Sequence, residues 1–188
     1  MKEEKGKNFR KDVQMHLACA KDDPIRPIMG CVYIKNGYAY ATDGIVLVKN
    51  DLHEISNFED ADIEALDGKY IPADFYKEII KYDDCLISEE GIECHKNDDK
   101  AFFYFKDFGE TNYPNADKAL EDALNKMTVP MPQIGFDVRN MQRLYKALYG
   151  ANQCKATFKG EGKPIVFYSL EKSSNSVGLL MPVTINED

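Results

Sequence analysis

Paired-cysteine motifs, long apolar runs and catalytic signatures are all missing from this chain of 188 residues, and each absence narrows what it can be. The five cysteines, Cys19, Cys31, Cys85, Cys94 and Cys154, are odd in number and never form CxxC. Such scatter fits reduced thiols in a cytoplasm, not a disulfide framework. Cys85, Cys94 and His95 match no common zinc spacing, and strand alternation puts Cys94 and His95 on opposite faces. No apolar run approaches the ~20 residues that a membrane span needs. The opening Met1 to Lys7 is charged and has no apolar h-region, so it reads as a frayed tail and not a signal peptide. P-loop, GxSxG, HExxH and Rossmann patterns are absent. Of the three histidines, His16 falls on a predicted helix with no nearby acid motif and His53 in an acidic connector, which suits surface or packing roles better than general-base work. Asp22-Asp23 and Asp98-Asp99 sit in turns and read as solvated. The residues call for no enzyme, metal or cofactor.

What is present is an ordinary globular balance. Hydrophobic residues make up 44% and charged residues 30%, which argues against disorder and allows one generous domain or two small ones. The net charge of −8 opposes a protein that wraps nucleic acid tightly, because non-specific affinity comes from neutralising phosphates. It leaves room for one that needs only a basic inner surface, so the placement of the cations matters more than their sum.

Periodicity shows one order written three times: a helix, then three strands. The first unit predicts a helix over Phe9–Ala20 and strands over Gly30–Lys35, Tyr38–Thr42 and Ile45–Lys49, with Asn36-Gly37 a strong hairpin turn. The middle unit opens on the short strand Lys69–Ala73. Asp74 is its expected N-cap for a helix Phe75–Tyr82, whose apolar face is Phe75, Ile79 and Tyr82. Strands follow at Cys85–Ser88, Ile92–His95 and Ala101–Lys106, with turns at Gly91 and Asn97-Asp98-Asp99. The last unit has Gln133–Phe136 leading into a helix Val138–Tyr149, with Val138, Met141, Leu144, Tyr145 and Leu148 as its stripe and Gly150 as its stop. Its strands run through Lys155–Lys159, Pro164–Leu170 and Gly178–Val183, broken by Gly160-Glu161-Gly162 and Ser173–Ser176. Between the units lie an acidic connector, Glu54–Asp67, with helical character at Ala61–Leu66, and a lone helix Ala116–Met127 followed by the break Val129–Pro132. Many α+β proteins repeat this order without meaning, so periodicity alone leaves the fold open.

Residue strings add a family resemblance. Arg26-Pro27 before a strand, then Ala41-Thr42-Asp43-Gly44-Ile45-Val46-Leu47, resembles the middle domain of the bacterial DNA polymerase sliding clamp, the polymerase III beta subunit. Tyr70-Ile71-Pro72-Ala73 and Tyr113-Pro114-Asn115 resemble the second half of that domain. Ile134-Gly135-Phe136-Asp137-Val138 and the closing Leu179-Leu180-Met181-Pro182-Val183 resemble the final module. The likeness is collinear over nearly the whole chain. It implies an α+β fold of the DNA-clamp type, built from repeated helix-plus-antiparallel-strand modules, with a two-module unit over 1–112 and a shortened one over 113–188. The chain departs from the pattern in length, about half that of a clamp subunit. It also has Ile45-Val46 where clamps usually carry His-Arg, and Val183-Thr184 after Met181-Pro182. Both changes make the pocket rim less polar.

The resemblance implies two surfaces. One is an apolar groove for short peptides of a DNA polymerase or other clamp-binding protein, with Thr42, Gly44 and Leu47 on one side and Leu179, Leu180, Met181, Pro182 and Val183 on the other. Leu180 and Val183 read equally as core strand residues. The other is a helix-lined basic face that holds the backbone of duplex DNA without base readout. Its candidates are Arg10, Lys11, Gln14, Lys21, Arg26, Lys77, Lys81, Arg139, Arg143 and Lys146. In the last helix Arg139, Gln142, Arg143 and Lys146 are expected opposite the apolar stripe. A plain solvated face explains such cations as well. On this reading the chain is a cytoplasmic, homo-oligomeric processivity or docking protein without membrane contact. A clamp-derived peptide-binding or regulatory module without DNA binding is the alternative, and a small enzyme on an unrelated α+β fold is the more distant one.

Overall fold

The computed structural model describes residues 6–128, 133–171 and 174–184. Strands β1 (Cys31–Lys35), β2 (Tyr38–Thr42) and β3 (Val46–Asp51) come first. Asn36 and Gly37 both have positive φ, 50° and 77°, as a two-residue primed turn requires. Helices α1 (Leu52–Ile55) and α2 (Asp60–Ala65) fill the acidic connector. The first is capped by Asp51, and the second by a box in which Glu59 and Asp62 serve each other's backbone. Then come β4 (Tyr70–Pro72), α3 (Ala73–Ile79), β5 (Asp84–Ile87), β6 (Gly91–Lys96) and β7 (Asp99–Tyr104). The last part holds α4 (Ala116–Leu124), α5 (Val138–Ala147), β8 (Cys154–Thr157), β9 (Ile165–Ser169) and β10 (Val177–Leu180).

The strands form a seven-stranded sheet, ordered β4-β1-β2-β3-β10-β9-β8, and a three-stranded sheet, β5-β6-β7; every pair is antiparallel. Alternation divides the large sheet cleanly. Val32, Ile34, Ala39, Ala41, Val46, Val48, Ile71, Ile165 and Leu180 face an inner core, closed by Tyr76 and Ile79 of α3 and by Leu144 and Ala147 of α5. Tyr40, Leu47, Val166, Val177 and Leu179 face an outer core, closed by Ala116, Leu120 and Ala123 of α4 and by Ile28, Met29 and Tyr113. A one-residue slip of β3 or β10 would exchange the two faces, so two buried faces hold the register firmly.

Two expectations change. No long helix forms over Phe9–Ala20; a single 3-10 turn, Met15–Leu17, is all that appears there. Phe9 and Val13 are buried as the spacing demands. The backbone, however, spends its hydrogen bonds at long range, Arg10 N–H on Ile55 O at 2.7 Å and Gln14 N–H on Lys146 O at 2.7 Å. Asp74 is not an N-cap: α3 starts at Ala73 after Pro72, and it buries Tyr76 and Ile79 while Phe75 is exposed. The lone helix α4 lies on the sheet face opposite α3 and α5, so it is no counterpart of the helices in the repeated units. Gln133–Phe136 leads into α5, and Gly135 makes one isolated bridge to Val183. The expected break at 129–132 and Ser173 lie outside the described residues.

Candidate functional site

The Thr42-Asp43-Gly44 segment is a knitted turn. Thr42 Oγ1 donates to Val46 O at 2.8 Å and accepts from Gly44 N–H at 3.1 Å. Asp43 Oδ1 accepts from the N–H groups of Ile45 and Val46, both at 2.9 Å. Gly44 has φ of +91°, where a side chain would be strained. The other carboxylate oxygen of Asp43 is taken by Arg143 of α5.

From this turn β3 leaves to pair with β10, Leu47 opposite Leu179 and Val46 opposite Leu180. Met181 N–H then donates to Ile45 O at 3.0 Å, and Val183 N–H to Gly135 O at 2.9 Å. The two segments that the sequence placed at opposite ends of the chain therefore meet edge to edge. Their roles are unequal. Thr42, Leu47, Leu179 and Leu180 are buried; Leu47 and Leu179 lie in the outer core and Leu180 in the inner one. Gly44, Ile45 and Val183 are exposed, with Met181 and Pro182 half-buried. The accessible rim is thus Gly44-Ile45 beside Met181-Pro182-Val183, over a floor of leucines.

The outer face beside this rim is held by residues outside the candidate set. Asp117 of α4 accepts from Tyr40 Oη at 2.9 Å and from Lys49 Nζ at 2.8 Å, which fixes α4 across β2 and β3. Tyr113 packs tilted against the stacked pair of Tyr33 and Tyr70, with centroids 4.9 and 6.3 Å away. Its buried hydroxyl has no hydrogen-bond partner among the described residues. Tyr113 stood in the sequence only as part of a matching string. An aromatic before proline carries no mark that its ring will roof a sheet.

The cation candidates do not form one free surface. Six of the nine are ion-paired within the chain: Arg10 with Asp12, Lys11 with Asp83, Arg26 with Asp23, Lys81 with Glu78, Arg139 with Asp137 and Arg143 with Asp43. Exposed pairs of this kind hold loosely and can be exchanged for phosphate. Arg143 cannot be freed so lightly. Its side chain also donates to Leu17 O at 2.7 Å and to Asn140 at 2.9 Å, and it is only 25% exposed. It points into the fold and not away from it, as the expectation for α5 had it. Gln14 contributes its backbone, to Lys146. Lys21, Lys77 and Lys146 make no ion pair among the described residues.

Lys21, Lys77 and Lys81 lie close enough to His16 to act on its charge. Burial, first, and then the charge of Lys77 push the His16 pKa below its usual 6.5, with Lys21 and Lys81 adding and Asp74 opposing. A histidine whose folded pKa lies below its unfolded one binds more protons when unfolded, so its stabilising contribution is present above pH 6.5 and erodes as pH falls through that value. Melting temperature is expected to drop between pH 7.5 and 5.5, and by less in His16→Gln. A polyanion seated on Lys21 and Lys77 would raise the His16 pKa, which an NMR titration with and without duplex DNA would read. An unchanged pKa would place the DNA elsewhere.

The apolar stripe of α5 is also split. Leu144 and Leu148 are buried, whereas Val138 and Tyr145 are exposed and border a groove of about 330 Å³ with Met141 and Phe167. Cys94 is buried and His95 turns to Glu93 at 2.8 Å, so those two do occupy opposite faces. Cross-strand pairing, invisible in the spacing, brings Cys85 and Cys94 together with sulfurs 3.2 Å apart. Their shared S–H hydrogen bond, and then burial, raise the Cys85 pKa, an environment for inert thiols. No cluster of three or more metal-ligating side chains occurs among the described residues. No helix among them is long and apolar enough to cross a membrane.

Inner helices backing antiparallel strand triplets, joined third strand to third strand, define a clamp-type architecture. Solved structures of the same architecture are bacterial sliding clamps. The DNA polymerase sliding clamp of Bacillus subtilis superposes with a TM-score of 0.63 at 15% identity, over 98% of this chain and 65% of that one. The beta sliding clamp of C. crescentus gives 0.64 at 11%, over 96% and 65%. The DNA polymerase III subunit beta of Pseudomonas aeruginosa gives 0.62 at 13%, over 98% and 68%. No protein-family model and no curated protein matches the sequence. The chain has the fold of the bacterial DNA sliding clamp, and it spans about two thirds of the length of the clamps it matches.

Proposed function

We propose that the chain is a sliding-clamp-like processivity or docking protein. In this reading it holds short peptide motifs of a DNA polymerase or similar partner and associates with the backbone of duplex DNA, without catalysing a reaction. It acts in the cytoplasm as a homo-oligomer. It comprises a two-module unit over 1–112 and a shortened one over 113–188, whose sheets β3 and β10 join. The observation that carries the reading is that junction. It sets Gly44-Ile45 against Met181–Val183, an exposed apolar rim on a rigid strand pair, on the segments that resemble the two halves of the clamp's peptide pocket. A rim of methionine, proline and β-branched side chains suits an apolar peptide and tolerates several sequences.

The test is fluorescence anisotropy with a labelled clamp-binding peptide of a DNA polymerase. Met181→Glu puts a charge into the rim at a half-buried position, and is expected to weaken the peptide at least tenfold while leaving the fold intact by circular dichroism. Equal affinity in the variant would move the peptide off this rim.

A second reading, a non-ring peptide-binding or regulatory module without DNA affinity, is favoured by one observation. Six of the nine candidate cations already have acidic partners in a chain of net charge −8. Duplex binding at low salt separates the two. On the first reading, Lys21→Glu with Lys77→Glu lowers affinity severalfold, and the affinity falls steeply with added salt. On the second, neither protein binds.

A further inference from the structure

Among the described residues the large sheet ends on β4 and β8, and the small one on β5 and β7. β4 covers the first strand β1, and Lys7 covers the first strand β5, accepting from Cys85 N–H at 2.6 Å, while β8, the first strand of the last unit, has no strand on its outer side among the described residues. The third strands pair with each other, β3 with β10, antiparallel. One third strand is left over. β7 has β6 on one side and no strand on the other among the described residues.

The open side of β7 is ready to pair. Phe105 N–H donates to Glu90 O toward β6, so alternation turns the N–H and C=O groups of Lys100, Phe102 and Tyr104 outward. Along the outer face of this edge stand Phe102 and Tyr104, 38% and 62% exposed, with ring centroids 4.7 Å apart. Leu86, 54% exposed, stands in the same cross-strand row as Phe102. Natural edge strands are usually blunted by proline or by a free charge. Here there is no proline, and Lys100 is drawn inward onto Glu93 at 2.7 Å.

We propose that β7 pairs antiparallel with β7 of a second copy of the chain, about a two-fold axis through Phe102, so that two three-stranded sheets become one of six. The proposal rests on the homo-oligomeric reading above and names its interface. Opposed residues in an antiparallel pair share a face, so only registers that keep that parity are allowed. With Phe102 opposite Phe102 of the second copy, each Lys100 stands opposite Tyr104 and the edge groups form about six main-chain hydrogen bonds. A slip one way sets Lys100 against Lys106 of the second copy, and a slip the other way leaves Tyr104 beyond the strand. The edge is therefore self-complementary in one register, as a two-fold contact must be.

Sedimentation equilibrium of the full chain, without DNA or peptide, is expected to show a dimer. Tyr104→Pro removes an outward N–H and no bond to β6, so it should raise the dimer Kd at least tenfold with the far-UV circular dichroism and melting temperature nearly unchanged. In a Cys154→Ser background, Phe102→Cys should form an intermolecular disulfide under mild oxidation. Hydrogen-bonded opposed residues lie about 5.5 Å apart at Cα, within disulfide reach. Leu86→Cys, two strands inward, should not. A wild-type monomer at all concentrations, a dimer indifferent to Tyr104→Pro, or no cross-link at Phe102→Cys would each overturn the proposal. A larger oligomer indifferent to these variants would overturn it too, while leaving a homo-oligomeric clamp-like protein standing. Loss of DNA or peptide binding has no bearing on this readout.

Discussion

Asn50→Ala is expected to destabilise the protein by about 3–5 kcal/mol, since it strands two buried backbone groups and leaves a small cavity. Asn50 is completely buried in β3, donating through Nδ2 to Ala147 O and accepting on Oδ1 from Tyr149 N–H, both at 2.9 Å. Ala147 is the last residue of α5, so its carbonyl has no partner within the helix. One side chain thus ends the helix and ties it to the strand that pairs with β10. For a chain of this size the melting temperature should fall by roughly 8–15 °C in a calorimetric scan. Asn50→Asp keeps the acceptor for Tyr149 but turns an anion toward the Ala147 carbonyl, and should be at least as harmful. A loss under 1 kcal/mol in Asn50→Ala would mean that α5 is held chiefly by its leucines.

The second large effect is expected at Arg143. Arg143→Ala leaves the Asp43 carboxylate, only 14% exposed, without its cation, and leaves Leu17 O without its donor. A fully buried pair broken in this way costs about 3–5 kcal/mol, and the partial exposure here lowers the expected loss to about 2–3 kcal/mol. The same change should loosen the Thr42-Asp43-Gly44 turn, because the oxygens of Asp43 divide between that turn and Arg143. Chemical denaturation of Arg143→Ala and of Arg143→Lys reads the loss. The lysine keeps the charge but not the fork that reaches Asp43, Asn140 and Leu17 together, so it should recover less than half. Full recovery by lysine would return Arg143 to the solvated face on which the sequence placed it.

The strand triplets were legible because alternation is a local property. Val46-Leu47-Val48 and Ile165-Val166-Phe167 belong to a sheet covered on both faces, and Asn36-Gly37 announces its turn by residue type alone. Phe9, Val13 and Leu17 lie in the segment expected as a helix over Phe9–Ala20, which does not form. The first two are buried, but long-range bonds to Ile55 and Lys146 outweigh a local helix that had nothing else to hold it. Pairing between β3 and β10 could not be read from periodicity, which is blind to partners more than a hundred residues apart; collinear likeness to a clamp set the two segments on opposite sides of one groove but did not pair them as strands. Ion pairs such as Lys11–Asp83 are hidden for the same reason, and so a basic face inferred from helix positions overstated its free charge. Asn50 gave no signal at all. A polar residue inside Leu47-Val48-Lys49-Asn50-Asp51 looks like a strand end until its helix partner is known.

The most direct measurement is an amide NMR titration of the labelled protein with a clamp-binding peptide of a DNA polymerase. The account expects shifts concentrated at Gly44–Leu47 and Met181–Val183, reduced in Met181→Glu. Shifts that miss both segments, or none at a tenfold excess of peptide, would contradict the claim that the β3–β10 junction is a docking site and would leave only the fold in common with the clamps.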